Sequence, residues 1–269
     1  MIELPVLAAA DLERRFGGLR RLYGDAGYAR LRSARVMLVG VGGVGSWAAE
    51  ALARCGVAAL TLVDLDQVAE SNINRQVQAL GATLGQAKVQ ALRERIADIH
   101  PGCEVTPVED FATPQNWAAL VAAAAPDIVI DACDQSSAKL ALAVWALATR
   151  TTFVSVGAAG GKRLAQRVEV SDLAEVTHDP LLASARQRLR RLHGAARQGP
   201  IGLRCVWSRE PVAAPTAASV TYGGADGGTD VGTDGSLNCH GYGSVVSVTA
   251  TFGMVAAGEA VEQWLARAD

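Results

Sequence analysis

Two cations and one acid in this chain sit where phosphate chemistry would want them: Arg75, Lys88 and Asp134. Arg75 lies in the polar run Asn72-Ile73-Asn74-Arg75-Gln76. Lys88 falls in the first turn of a helix read over 85–99. A lysine there opposes the helix dipole, and a phosphate chain beside it would turn that cost into a gain. Upstream stands Gly40-Val41-Gly42-Gly43-Val44-Gly45, closed by an alanine-rich helical stretch. Such glycines let backbone turn tightly against a phosphate, and the helix that follows presents free N–H groups and a partial positive charge. Asp64, about twenty residues further on, is placed to accept hydrogen bonds from ribose hydroxyls. Asp66 follows two residues later.

Three readings compete for this pattern. Glycine turn plus acid is the common fingerprint of a dinucleotide site. A glycine turn kept only for helix–strand packing is the bland alternative. Two amides, an arginine and a lysine suit a triphosphate better than a nicotinamide, and they favour ATP.

The elements that must carry these residues alternate. Apolar, buried strands are read at 36–39, 59–63 and 127–131, with further strands at 103–108, 153–157, 166–170 and 203–208. Helices are read at 46–55, 85–99 and 137–149, at 114–124 with Thr113 as N-cap and Pro114 in the first turn, and at 173–193. Residues 11–32 read as one or two short helices. The expected fold is α/β, a Rossmann-like doubly wound, mostly parallel sheet with a C-terminal substrate-side extension. It forms a single domain over 1–269, with a nucleotide half near 11–157, a substrate and dimer half near 158–269, and a mobile loop near 211–236. Asp134 follows a strand at the sheet edge where ligands bind, as a candidate magnesium ligand or a plain helix cap. Residues 158–162 form a small-residue turn facing the substrate side. The weakly polar stretch 245–261 reads as a buried or dimer-facing helix. Its threonines, serines and Glu259 argue against a membrane anchor.

Half of the 269 residues are apolar and the formal net charge is −2, so no global field draws nucleic acid and any RNA contact must be local. Residues 1–12 carry Glu3 and Asp11 and no cationic start, which points to the cytosol. The five cysteines form no CxxC pair, so no zinc is expected. Cys239, in Asn238-Cys239-His240-Gly241, is a candidate reactive thiol or a buried structural one.

Together the glycine loop, Asp64-x-Asp66, Asn72-x-Asn74-Arg75-Gln76, Lys88 and Asp131-Ala132-Cys133-Asp134 resemble the ubiquitin-activating-enzyme-like (ThiF/MoeB/HesA) adenylyltransferase superfamily. The resemblance implies MgATP held by Gly40, Gly42, Gly43, Gly45, Asp64, Asp66, Asn72, Asn74, Arg75, Gln76, Lys88 and Asp134, with Arg75, Lys88 and Asp134 catalytic and Asp134 on magnesium. It implies a homodimer, with one arginine among Arg14, Arg15, Arg20, Arg21 and Arg30 reaching the neighbour's ATP; a solvated cationic face is the alternative. Within the superfamily, Arg15-Phe16-Gly17-Gly18, 45–54, Asp179-Pro180-Leu181, 205–210 and 249–253 look most like the tRNA threonylcarbamoyladenosine dehydratase branch, and the missing CxxC pairs agree. That branch implies adenylation of the threonyl carboxylate of the modified adenosine, followed by intramolecular ring closure. Lys162, Arg163, Arg186 and Arg190 would then meet tRNA phosphates, or simply line an exposed helix face. The alternative function is activation of a ubiquitin-like sulfur-carrier C-terminus, with a cysteine desulfurase or sulfur-acceptor partner. A monovalent cation site stays open. An NAD-dependent oxidoreductase would leave Arg75 and Lys88 without a role, and a non-catalytic sulfur-transfer partner would rely on Cys239.

Overall fold

A computed structural model describes residues 10–213 and 242–267. The loop expected near 211–236 and Cys239 therefore lie largely or wholly outside the described residues. In chain order the elements are α1 (Leu12–Ser33), β1 (Arg35–Val39), α2 (Gly45–Arg54), β2 (Ala59–Val63), α3 (Lys88–Ile99), β3 (Glu104–Val108) and α4 (Trp117–Ala124). Then follow β4 (Ile128–Asp131), α5 (Ser136–Thr149), β5 (Thr152–Val156), β6 (Val168–Asp172), α6 (Pro180–Leu192), β7 (Arg204–Ser208) and α7 (Val246–Ala266). The sheet order is β3-β2-β1-β4-β5-β7-β6, parallel throughout except for β6 against β7. This is the expected α/β architecture, with the strand order reversing between β1 and β4.

Period-two alternation along the buried strands sends neighbouring side chains to opposite faces. Val36, Leu38, Leu60, Leu62, Ile128 and Ile130 join the core formed with α2, α3 and α7. Met37, Val39, Val129 and Phe153 join the other core, under α4, α5 and α6. Helix α7 packs chiefly on α2 and β5 and buries Val248, Phe252, Ala256, Ala257, Ala260 and Val261. The 245–261 stretch is thus a core helix. Gly253 permits the crossing, because a Cβ there would stand 2.5 Å from the Val44 carbonyl oxygen.

Element boundaries depart from expectation by more than one residue in four places, each for a local reason. Helix α3 begins at Lys88, not at residue 85, because Gly85 adopts φ 79° and the Gln86 N–H closes a turn onto the Thr83 carbonyl first. Helix α4 begins at Trp117 with Asn116 as N-cap, not at Pro114. Thr113 and Asn116 exchange side-chain-to-backbone hydrogen bonds of 2.7 and 3.2 Å, which close a turn before the helix can start. Residues 173–178 are not helical. The Asp172 carboxylate collects the backbone N–H groups of Ala174, Ile201 and Gly202, His178 adopts φ 55°, and Asp179 then N-caps α6 through the Leu182 N–H. Finally, 165–167 is a 3-10 turn, so β6 starts at Val168. Helix α1 is a single element kinked at Gly24, whose φ of 71° breaks the helical run.

Candidate active site

One row of residues crosses the sheet's carboxyl edge: Val63, Val39, Asp131 and Ser155 stand side by side in β2, β1, β4 and β5. Beyond that row the chain leaves the sheet, and the exits surround a cleft of about 730 Å³ at the point where strand order reverses. Gly40, Gly42, Gly43, Asp64, Asp66, Asn72, Arg75, Gln76, Lys88 and Asp134 all line it. The turn 157–160 and Leu181 at the start of α6 form the facing wall.

Two glycines of the turn answer to packing and two to the cleft. A Cβ on Gly45 would stand 1.8 Å from the Gly40 carbonyl oxygen, and one on Gly40, at φ 85°, would stand 2.9 Å from that of Ala132. Gly45 lies behind the cleft wall and serves helix–strand approach. Gly42 and Gly43 face the opening ahead of α2. Asp64 holds the turn as well as bordering the cleft: its carboxylate accepts from the N–H groups of Val41 (2.8 Å) and Asp66 (3.0 Å). Burial lifts its pKa above the ordinary aspartate value, against the pull of Lys88.

Lys88 is 6% exposed, and its ammonium donates to Asp66 at 2.6 Å. Asp66 thus supplies part of the compensation that the helix N-terminus denies this lysine. Arg75 is pinned by its own loop, donating to the Ser71 carbonyl (2.6 Å) and the Asn74 side chain (2.9 Å). The Trp47 indole of α2 donates to the Arg75 carbonyl at 2.9 Å and clamps the 71–76 segment onto the glycine turn. Asn72 is buried and its amide oxygen accepts from the Ala69 N–H, while Asn74 sits outside the cleft and donates to the Ser244 carbonyl. Asp134 is exposed at the rim. Among the described residues, no group of three or more His, Cys, Asp or Glu side chains converges as a metal site.

On the facing side the structure departs from the expected phosphate contacts. Lys162 is 1% exposed, and its ammonium donates to the carbonyls of Glu210 (2.8 Å), Ser208 (3.2 Å) and His178 (3.5 Å). It is a structural cation and is not available to an outside anion. Arg186 is likewise turned inward, donating to the carbonyls of Leu173 and Val176. Arg190 bonds the Ala196 carbonyl at 2.9 Å. Arg163 is exposed, its backbone held by Glu210. Arg191 and Arg197 are exposed too, and no Asp or Glu occurs from residue 180 to residue 204. Of the N-terminal arginines, Arg15 caps the last carbonyls of α3, Arg20 pairs with Glu13 and Asp25, and Arg30 lies over the Trp264 ring.

Sequence reasoning used Thr249 and Asp131 only as marks of resemblance and gave no site role to Thr249, which reaches the cleft from α7 beside Gly43, or to the buried pair Asp131–Lys139 beneath the floor. A usable signal existed for the pair. The chain has only three lysines, Lys88, Lys139 and Lys162, and all three are buried. A lysine in the apolar run of α5, in a chain that otherwise uses arginine, marks a committed position.

The model of the ThiF family matches residues 15–267. The tRNA threonylcarbamoyladenosine dehydratase of Escherichia coli K12 is 40% identical over 98% of this chain and 98% of its own length. The molybdopterin-synthase adenylyltransferase of the same organism is 38% identical over only 48% of this chain and 51% of its own. Among solved structures, the E. coli dehydratase TcdA in complex with ATP superposes with a TM-score of 0.81 at 38% identity, covering 96% of each chain.

Proposed function

This chain belongs to the ThiF family, and we propose that within it the chain is an ATP-dependent tRNA threonylcarbamoyladenosine dehydratase. The reading rests on one observation: a glycine turn, Arg75, Lys88 and Asp134 share a single cleft, in a chain similar to such a dehydratase along its whole length. The sulfur-carrier alternative has a relative that matches about half of the chain.

In the reaction, ATP lies along Gly42, Gly43 and the start of α2. A carboxylate oxygen of the threonyl group attacks the α-phosphorus, the bond to the β-phosphate oxygen breaks, and pyrophosphate leaves. Negative charge gathers in the transition state, so positioned cations do most of the work. Arg75 and Lys88 neutralise the phosphates, and Lys88 exchanges part of its bond to Asp66 for them. Asp64 receives the ribose hydroxyls. The carbamoyl group of the same nucleoside then attacks the activated acyl carbon, AMP departs with the bonding electrons, and a proton passes to solvent. The net change is loss of water from the nucleoside, at the expense of ATP.

Magnesium fits this donor set. It binds proteins through one or two carboxylates, with phosphate oxygens and water as its other ligands, and Asp134 offers one exposed carboxylate at the rim. The ion would screen the phosphate charge there. The tRNA backbone follows α6 outward from Leu181 to Arg191 and Arg197, with Arg163 on the adjoining turn. Functionally the whole chain acts as one domain, its nucleotide and substrate halves meeting at the cleft. A homodimer is supported by the exposed apolar side chains Ile73, Tyr242, Val245 and Val246, which flank the Asn74–Ser244 bond. The tRNA substrate argues for the cytoplasm, and among the described residues no helix is long and apolar enough to cross a membrane. A sulfur-acceptor partner has no role in this scheme, because ring closure needs no thioester relay.

Incubation with MgATP and tRNA bearing threonylcarbamoyladenosine, followed by nucleoside mass spectrometry, tests the reading. The nucleoside should lose the mass of one water. An unchanged nucleoside, with a sulfur-carrier peptide adenylated instead, would overturn it.

A further inference from the structure

Lys139 is a buried cation for which the reaction above has no use. It is 1% exposed, and its partner Asp131 is fully buried. Its ammonium donates to Asp131 Oδ2 at 2.7 Å, to the Val156 carbonyl at 2.9 Å and to Ser155 Oγ at 3.3 Å. Ser155 Oγ donates in turn to Asp131 Oδ2 at 2.8 Å. The other carboxylate oxygen accepts from Cys133, from its backbone N–H at 3.3 Å and from its thiol at 3.0 Å. Burial works against the charge on Lys139, but Asp131, together with the neighbouring Cys133 and Cys205, offsets this and keeps the ammonium above its ordinary pKa.

Stability alone is a poor reason for such a pair, since well-packed apolar side chains in its place are often no less stabilising. What the pair adds is direction. Asp131 ends β4 and Ser155 stands beside it in β5, so the network ties two neighbouring strands at the row where both leave the sheet. One residue past Cys133 comes Asp134. One residue past Val156 begins the turn 157–160, the opposite wall of the cleft. A lysine reaching up from α5 therefore sets both exits at once.

We propose that Lys139, with Asp131 and Ser155, is a positioning residue that holds Asp134 and the 157–160 wall at the separation the adenylation step requires. This inference rests on the dehydratase reading. It assigns the network to alignment of ATP against the carboxylate, and not to ATP affinity.

The test uses the full chain carrying Asp131→Asn together with Lys139→Met, which removes both charges and nearly keeps their volume. Thermal melting establishes that the variant is folded, calorimetry gives its affinity for ATP, and cyclisation of modified tRNA gives kcat and KM. Misplacement of reacting groups costs far more in turnover than in binding, so kcat should fall by about 10-fold or more while ATP affinity stays within about 3-fold. A folded variant with wild-type kcat would overturn the proposal, as would a loss of ATP affinity equal to the loss of activity. Should the double variant fail to fold, Ser155→Ala carries the test: it deletes one oxygen, and kcat should drop about 3-fold with ATP affinity held. Unchanged turnover there would also overturn the proposal. A wild-type chain that does not cyclise the nucleoside sinks the dehydratase reading and this inference together; an active wild type with indifferent variants sinks the inference alone.

Discussion

Lys88 and Lys162 are the same residue type at nearly the same burial, Lys88 lining the cleft and Lys162 two residues past the 157–160 turn of its facing wall. Lys88 meets a carboxylate that is half-exposed and able to yield, Asp66. Lys162 meets three backbone carbonyls, those of His178, Ser208 and Glu210, which are fixed in the chain and cannot swing away as a side chain can. The first arrangement leaves a cation that an incoming phosphate can recruit. The second consumes the cation in holding 157–162 against β7 and the start of α6. Arg75 and Arg186 differ in placement alone: both donate to backbone carbonyls, but Arg75 lines the cleft while Arg186 caps the 173–178 turn. What a buried cation does is decided by whether its partner can be exchanged.

The contrast can be broken most sharply at Lys88. Lys88→Ala should cut ATP–pyrophosphate exchange driven by modified tRNA by about 100-fold or more, as expected for loss of a preorganised cation at a developing charge. Its melting temperature should stay close to wild type, and full exchange activity would remove the lysine from the site. Asp134→Ala should lower exchange by a similar or smaller factor, about 10- to 100-fold, with its deficit partly relieved by raised magnesium. Lys162→Met should behave in the opposite sense. Three carbonyls lose their donor, which costs about 2 kcal/mol of stability, or about 4–8 °C in a thermal melt of a chain this size. Its folded fraction should turn over within a few-fold of wild type, and a wild-type melt with lost tRNA activity would restore Lys162 to the substrate surface. A weaker effect is expected from Arg191→Ala with Arg197→Ala: a rise in KM for tRNA of about 10-fold at moderate salt, and a binding curve whose salt slope shrinks by about two.

The smallest effect lies away from both walls, at His100. Burial, then Arg32, holds its imidazole below the ordinary histidine pKa, and its ring packs on Phe16 of α1. The unfolded chain, with a histidine pKa of about 6.5, takes up a proton that the folded chain resists. The stability that depends on this group is therefore complete above that pH and is lost as pH falls toward and through the lowered folded value. Melts at pH 7.5 and 5.5 should differ, and His100→Gln should shrink the difference. An unaltered difference would clear this histidine of the effect.

The nucleotide side was legible because its signals are local. Strand, glycine turn, helix, strand and acid follow one another within a short span, and the boundaries of β2 match the reading to the residue. The substrate side was less legible because its signals depend on partners far along the chain. Nothing near Lys162 says that carbonyls of 178, 208 and 210 will converge on it. Likewise nothing near Leu173 says that Asp172 will gather N–H groups from 201 and 202 and so delay the helix. Asn74 and Gly45 fell on the right segments but on their far sides, one tied to Ser244 and the other packed on Gly40.

From its sequence alone, this chain declared a doubly wound sheet, a glycine turn with its acid, and the cations set around it. Periodicity, turn chemistry and spacing act over a few residues and leave their mark in order along the chain. Tertiary structure alone decided which charged groups face outward into the cleft and which are sealed beneath it. A buried charge persists only where groups distant in sequence converge to compensate it, and that convergence exists nowhere but in three dimensions.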